Sequence, residues 1–218
     1  MILSVCPNPS VDCTIELDTL KTGSLNRVEN KVITYSGKAL NVAVGVARLG
    51  GDSFATGFMF DDNGKMFVHA LDDEGVKNTF VWNKGGARTN YKIVDKRSMM
   101  TEINDKGEPV DVKQQEELLD LVGTLSQQAS VVVMSGSLPS GVSDDYYLKL
   151  SERIPKNVKK IFDVTGDRLV NALKGGAYLV KPNLDELKEV TGEHYDGYDE
   201  MLGGCRSLLD AGAENVLL

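Results

Sequence analysis

The chain has 218 residues, with 24 Lys and Arg against 32 Asp and Glu, a formal charge of −8. That length fits one domain with a modest appendage; 41% hydrophobic and 26% charged residues exclude a disordered chain, and an acidic balance without a basic cluster speaks against nucleic acid as a partner. No apolar run reaches the ~20 residues of a membrane span, Met1–Cys6 lacks the basic and long apolar regions of a secretory signal, and three scattered cysteines (Cys6, Cys13, Cys205) with two histidines (His69, His194) make neither a disulfide framework nor a His-rich metal site. A reducing cytoplasm is the expected compartment.

Apolar runs and amphipathic stretches then alternate along the chain. Ile2–Cys6 predicts a buried strand, and Val11–Leu17 and Arg27–Tyr35 predict two more with no helix between them. A helix follows at Ala39–Leu49, a strand at Ser53–Met59, a helix at Asp62–Asp73 and a strand at Thr79–Trp82. Asn90–Val94 and Met99–Ile103 form a hairpin around Asp95-Lys96-Arg97-Ser98. Helices at Lys113–Leu125, Asp144–Ile154, Asp167–Leu173, Leu184–Thr191 and Asp199–Asp210 then separate strands at Ser130–Met134, Ile161–Val164, Tyr178–Val180 and Asn215–Leu218. Such alternation means parallel strands with crossover helices, an α/β sandwich. The insertions at 11–35 and 90–103 predict a small antiparallel sheet that covers the main sheet as a lid. Val11, Cys13, Ile15 and Leu17 give it an apolar side that needs cover, from the body or from a second lid in a homodimer. The last predicted strand ends the chain without its following loop, so the expectation is a domain, 1–218, truncated at its C-terminus.

Six polar motifs fall at strand ends or at the lid junction, where parallel α/β sheets keep their ligand sites. Asp12 follows the Asn8-Pro9-Ser10-Val11 turn. Ser36-Gly37-Lys38-Ala39-Leu40-Asn41 opens a helix, where a glycine admits close backbone approach and N–H groups favour anions. Arg88 enters the hairpin after Gly85-Gly86-Ala87 and suits a phosphate or carboxylate; Arg27 has the same chemistry at the start of a lid strand. Ser135-Gly136-Ser137 and Asp163-Val164-Thr165-Gly166 open from strand ends. Lys181-Pro182-Asn183-Leu184-Asp185-Glu186 allows two interpretations, a capping box of Asn183 and Glu186, or a phosphate and hydrated Mg²⁺ site.

Together with Leu25-Asn26-Arg27, Arg88-Thr89-Asn90 and Thr101-Glu102-Ile103, these motifs resemble the PfkB carbohydrate kinases of the ribokinase-like superfamily over essentially the whole chain. Similarity is greatest to the subgroup of bacterial 1-phosphofructokinases and tagatose-6-phosphate kinases. The resemblance implies a ribokinase-like three-layer α/β/α sandwich with a β-lid, and transfer of phosphate from ATP to a phosphorylated ketohexose. Met99-Met100-Thr101-Glu102-Ile103-Asn104 is similar to the run in 1-phosphofructokinases, which implies fructose 1-phosphate as substrate; tagatose 6-phosphate stays open as the rival, and a non-catalytic sugar-phosphate binding protein as the alternative of another class. By the same resemblance Asp12, Gly37, Asn41 and Ser137 hold sugar hydroxyls, Arg27, Lys38 and Arg88 hold the sugar's phosphate, Lys181 approaches ATP, and Asn183 and Glu186 organise Mg²⁺. Two departures stand out. Ala39 replaces the family's glycine, so its Cβ is expected to crowd the ligand. The family's Gly-Ala-Gly-Asp segment, with the catalytic base, is absent from the chain and expected beyond Leu218, which implies that this chain alone does not turn over.

Overall fold

Residues Leu3 to Cys6 are all buried, because a central strand covered on both faces needs small or apolar side chains at every position. They belong to β1 (Ile2–Cys6), the middle of the main sheet in a computed structural model that describes residues 1 to 218. In chain order there follow β2 (Ser10–Leu17), β3 (Asn30–Ser36), α1 (Lys38–Arg48), β4 (Ser53–Phe60), α2 (Gly64–Asp73), β5 (Lys77–Asn78), β6 (Val81–Asn83), β7 (Arg88–Asp95) and β8 (Met100–Asn104). The second half contains α3 (Val112–Ser126), β9 (Val131–Ser135), α4 (Tyr146–Arg153), β10 (Lys159–Asp163), α5 (Asp167–Leu173), β11 (Leu179–Val180), α6 (Leu184–Thr191) and α7 (Tyr198–Asp210).

The main sheet runs β11-β10-β9-β1-β4-β5, with β6 also on β4. Every pairing in it is parallel, which the crossover helices make possible. α1 lies over β1, β4 and β9, and α3 lies over β1, β4 and β6 with α4 and α5 beside it. The result is a three-layer α/β/α sandwich around one core of 39 buried residues. Phe58, Phe60, Leu118, Met134 and Phe162 are wholly enclosed, each contributing about 1.5–3 kcal/mol by leaving water. Phe58 stacks on Tyr146 with ring centroids 6.1 Å apart. The buried Tyr147 hydroxyl donates to the Gly136 carbonyl at 3.0 Å, so the core also anchors a loop at the sheet's upper edge.

The second sheet is the lid, in the order β3-β2-β7-β8. The expected antiparallel pairing holds for β2 with β3 and for β7 with β8. β2 and β7 pair in parallel instead. Both continue outward from parallel strands of the body, β1 and β6, so they leave it in the same direction. Register then sorts the lid's two faces. Ser10, Asp12, Arg88, Asn90, Lys92, Glu102 and Asn104 share one; Cys13, Ile15, Ile33, Tyr91, Ile93 and Ile103 share the other. Of the apolar strip on β2, Val11, Cys13 and Leu17 are buried within the single chain, so the body and neighbouring strands cover more of it than its alternation alone implied. Ile33, Tyr91 and Ile103 remain 45%, 41% and 56% exposed.

The strand expected at Asn215–Leu218 is reduced to isolated parallel bridges, Ala177 with Ala213 and Val180 with Val216. Its neighbour β11 is only two residues long and forms its ladder with β10 on the other side. No helix is long and apolar enough to cross a membrane.

Candidate active site

The chain places β4 on one side of β1 and β9 on the other, and ligands bind outside the C-terminal strand ends at such a switch point. Here the polar face of the lid overhangs those ends and encloses a cleft of about 490 Å³ with a single hydrophobic residue, Val164, among the 19 that line it.

One half of the cleft is built around Asp12. Its Oδ1 accepts from the Ser10 hydroxyl at 3.0 Å and from Asn90 Nδ2 at 3.2 Å, while Oδ2 lies 4.0 Å from Lys92 Nζ. Beneath it Asn8, 4% exposed, donates to the Ser137 hydroxyl at 3.1 Å and to the Lys106 carbonyl at 3.2 Å. That amide ties the end of β1 to the loop after β9 and to the chain returning from the lid. Asn41 projects from the first turn of α1, and its Oδ1 accepts from the Ser36 hydroxyl at 3.2 Å. Arg88 Nη1 donates to the Asp105 carbonyl at 3.1 Å, and Arg88 Nε is buried with no partner, an unsatisfied donor that the fold alone does not explain.

The start of α1 approaches β1 so closely that a Cβ on Gly37 would lie 2.6 Å from Cys6 Sγ. Cys6 accepts from the first N–H groups of the helix, yet burial dominates and pushes its thiol up to about 11. It is an inert packing group near neutral pH.

The other half gathers charge. Asp163, at the end of β10, accepts from the Ser135 hydroxyl at 2.9 Å. Its Oδ2 is 3.8 Å from Lys38 Nζ and its Oδ1 3.6 Å from Lys181 Nζ. Lys38 Nζ is also 3.5 Å from Glu186 Oε1. Glu186 Oε2 accepts from the Asn183 N–H at 2.9 Å, and Asn183 Oδ1 accepts from the Glu186 N–H at 2.8 Å. The capping box and the site are therefore one device: one oxygen of Glu186 caps α6, which aims the other into the cleft. Thr165 and Arg168 complete this wall.

Asp12, Gly37, Lys38, Asn41, Arg88, Ser137 and Glu186 all line the cleft. Arg27 does not. β3 begins three residues later, at Asn30, and Arg27 lies exposed in the loop before it, because no cross-strand partner extends β3 that far. Lys38, expected beside the sugar's phosphate, sits between Asp163 and Glu186 in the other half, since two carboxylates hold its ammonium there. Lys181 and Asn183 are not lining residues themselves; Lys181 Nζ is exposed beside Asp163, and Asn183 caps α6. Ala39 is fully buried, its methyl directed into the core, so it crowds no ligand. Lys92, Asn104 and Arg168 also line the cleft, though no motif marked them as site residues. Period-two alternation from Arg88 through Asn90 was the signal that could have found Lys92.

A model of the pfkB family carbohydrate kinases matches residues 8–218. The 1-phosphofructokinase of Borreliella burgdorferi is 32% identical over 218 residues, all of this chain and 70% of that protein. The 1-phosphofructokinase of Bacillus subtilis is 31% identical, covering all of this chain and 71% of that one. Among solved structures, the tetrameric inhibited form of phosphofructokinase-2 from Escherichia coli superposes with a TM-score of 0.90 at 25% identity, over 99% of this chain and 72% of that one.

Proposed function

The chain belongs to the pfkB family of carbohydrate kinases, and on that premise we propose that its cleft takes fructose 1-phosphate and ATP and forms fructose 1,6-bisphosphate. The 6-hydroxyl oxygen would attack the γ-phosphorus, ADP would leave, and the hydroxyl proton would pass to a base. The observation that carries this reading is the division of a single polar cleft into two halves, one with Asp12, Asn41 and Ser137 beneath the lid's Arg88, the other with Lys38, Asp163 and Glu186. Hydrogen-bonding groups suit the sugar, and clustered charge suits the phosphates of a nucleotide. In this scheme Asp12, Asn41 and Ser137 bind hydroxyls, Gly37 admits the sugar to the start of α1, Arg88 binds its phosphate, and Lys38 with Lys181 faces the nucleotide phosphates.

Mg²⁺ fits beside Glu186, whose Oε1 faces the cleft, because the ion keeps most of its waters and needs few carboxylates; bound there it would neutralise charge on the transferring phosphoryl group. No cluster of three His, Cys, Asp or Glu offers a cage that would compete with this open arrangement. Catalysis of this kind is mainly positioning and charge stabilisation. The chain contains no Gly-Ala-Gly-Asp segment, so sugar binding is the more direct test of its own residues. Arg27, remote from the cleft within one chain, is left as a candidate only if a second copy brings it near.

The exposed outer face of the lid, with Ile33, Tyr91 and Ile103, fits a second copy of the chain. An α/β enzyme without a membrane-length helix and with reduced cysteines fits the cytoplasm. Calorimetric titration with fructose 1-phosphate and tagatose 6-phosphate, with ADP release measured in the presence of each, tests the substrate. Binding and turnover of tagatose 6-phosphate with neither for fructose 1-phosphate overturns the assignment. Light scattering at micromolar concentration tests the assembly, and a monomer whose solubility survives Ile103→Asp removes the dimeric lid.

A further inference from the structure

The lid turns two cations toward the cleft, and they are held very differently. Arg88, Asn90 and Lys92 alternate onto one face of β7. Arg88 is engaged, donating to the Asp105 carbonyl at 3.1 Å. Lys92 has one contact, its Nζ standing 4.0 Å from Asp12 Oδ2, with side-chain exposures of 38% for Lys92 and 20% for Asp12. That separation is well beyond the ~2.7–2.9 Å of a charge-assisted hydrogen bond. Glu102, opposite Lys92 on β8, also lines the cleft, yet Lys92 reaches back to Asp12. Asp12 Oδ1 is already taken by Ser10 and Asn90, so Oδ2 is the oxygen left for a sugar hydroxyl, and Lys92 is the cation that stands over it at 4.0 Å.

We propose that Lys92 is a specificity-determining residue that couples recognition of the substrate's phosphate to recognition of its hydroxyl. In the free protein Lys92 neutralises Asp12. On binding it moves from the carboxylate to the phosphate of a phosphorylated sugar, and Asp12 Oδ2 is released to accept the hydroxyl. This role rests on the sugar-phosphate reading of the cleft. A lysine suits such an exchange because its ammonium is a compact charge on a flexible stem, and a phosphate monoester carries about −1.5 to −2 charges against one on the carboxylate. An unphosphorylated sugar offers nothing to draw the ammonium away, so it must compete with Lys92 for Asp12. Discrimination against it would then arise from a covered hydroxyl site as well as from a missing phosphate contact.

The test compares wild type, Lys92→Met and Lys92→Arg, each titrated with fructose 1-phosphate and, separately, with fructose. The methionine keeps most of the stem and removes the charge, at a partly exposed site where substitutions are well tolerated; a thermal melt checks that each variant is folded. Lys92→Met is expected to weaken fructose 1-phosphate binding by roughly ten- to a hundredfold while fructose binding holds or tightens, so the preference for the phosphorylated sugar collapses. Lys92→Arg is expected to restore most of it. Equal losses for both sugars, or an unchanged preference, overturns the role of Lys92. If wild type itself binds neither sugar, the sugar-phosphate reading falls and the proposal falls with it; wild-type binding with an unaltered ratio in Lys92→Met removes Lys92 alone.

Discussion

Replacing Gly37 by alanine puts one methyl group where the structure has no room. Gly37 has φ 163°, extended backbone that any residue adopts, so conformation adds no cost. The cost is contact. The new Cβ would lie 2.6 Å from Cys6 Sγ, about 0.8 Å inside the 3.4 Å at which ordinary contact begins, whereas Leu40 Cγ at 3.4 Å and Pro9 Cα at 3.5 Å would be tolerated. Cys6 is 2% exposed beneath α1 and has nowhere to retreat. Overpacking of this kind costs about 1–3 kcal/mol, and in a chain of this size each kcal/mol lowers Tm by about 2–4 °C. The partner is one atom, so Cys6→Ala should relieve it. In urea denaturation of wild type, both single variants and the double, the double is expected to be more stable than the sum of the singles by about 0.5–3 kcal/mol. Sugar-phosphate binding should follow the same pattern, because a displaced helix start carries Lys38 and Asn41 with it. Additive free energies, or a Gly37→Ala melting point within about one degree of wild type, would refute the contact argument.

Asn183→Ala removes the acceptor for the Glu186 N–H and is expected to cost about 1 kcal/mol, a fall of about 2–4 °C in a thermal melt; Glu186→Gln retains an oxygen for the Asn183 N–H, so its melt should stay near wild type while Mg²⁺-dependent ATP binding weakens in titration. Arg88→Ala is expected to reduce fructose 1-phosphate affinity roughly ten- to hundredfold, the loss of one charge-assisted contact, with ATP affinity unchanged by calorimetry. Hydrogen bonds from the Arg97 guanidinium, aided by the amides of Met99 and Arg97, hold the Asp95 carboxyl below the ordinary carboxylate range. The folded value is thus lower than the unfolded one, so this stabilisation is present above about pH 3.8 and is lost as pH falls through the folded value. Amide exchange at Met99 should therefore accelerate in acid before the core opens, and Asp95→Asn should remove that pH dependence.

The helices at Asp167–Leu173 and Leu184–Thr191 and the strand Ile2–Cys6 occur with the bounds their local patterns predict. Hydrophobic periodicity is a property of consecutive residues, so it survives in the sequence. Asp12, Arg88, Ser137 and Glu186 were legible for a related reason: each follows the end of a body strand, and parallel topology gathers those ends on one edge; Gly37 and Asn41 reach the same edge because β3 returns antiparallel from the lid. What the chain order could not decide was which distant groups share a charge. Lys38 lies next to Gly37 in sequence, but its ammonium answers to Asp163 and Glu186, more than 120 residues away. Lys92 carried no motif, and only the parallel pairing of β2 with β7 brings it over Asp12. The same pairing was unpredicted because strand direction in the lid is inherited from the body strands beneath it. Ala39 looked like an obstruction in one dimension, and its methyl points into the core in three. Local sequence thus determined the elements and most of the site's residues, because both follow from short-range pattern; partners and directions came from tertiary packing, because Coulomb and contact forces act on distance in space and take no account of separation along the chain.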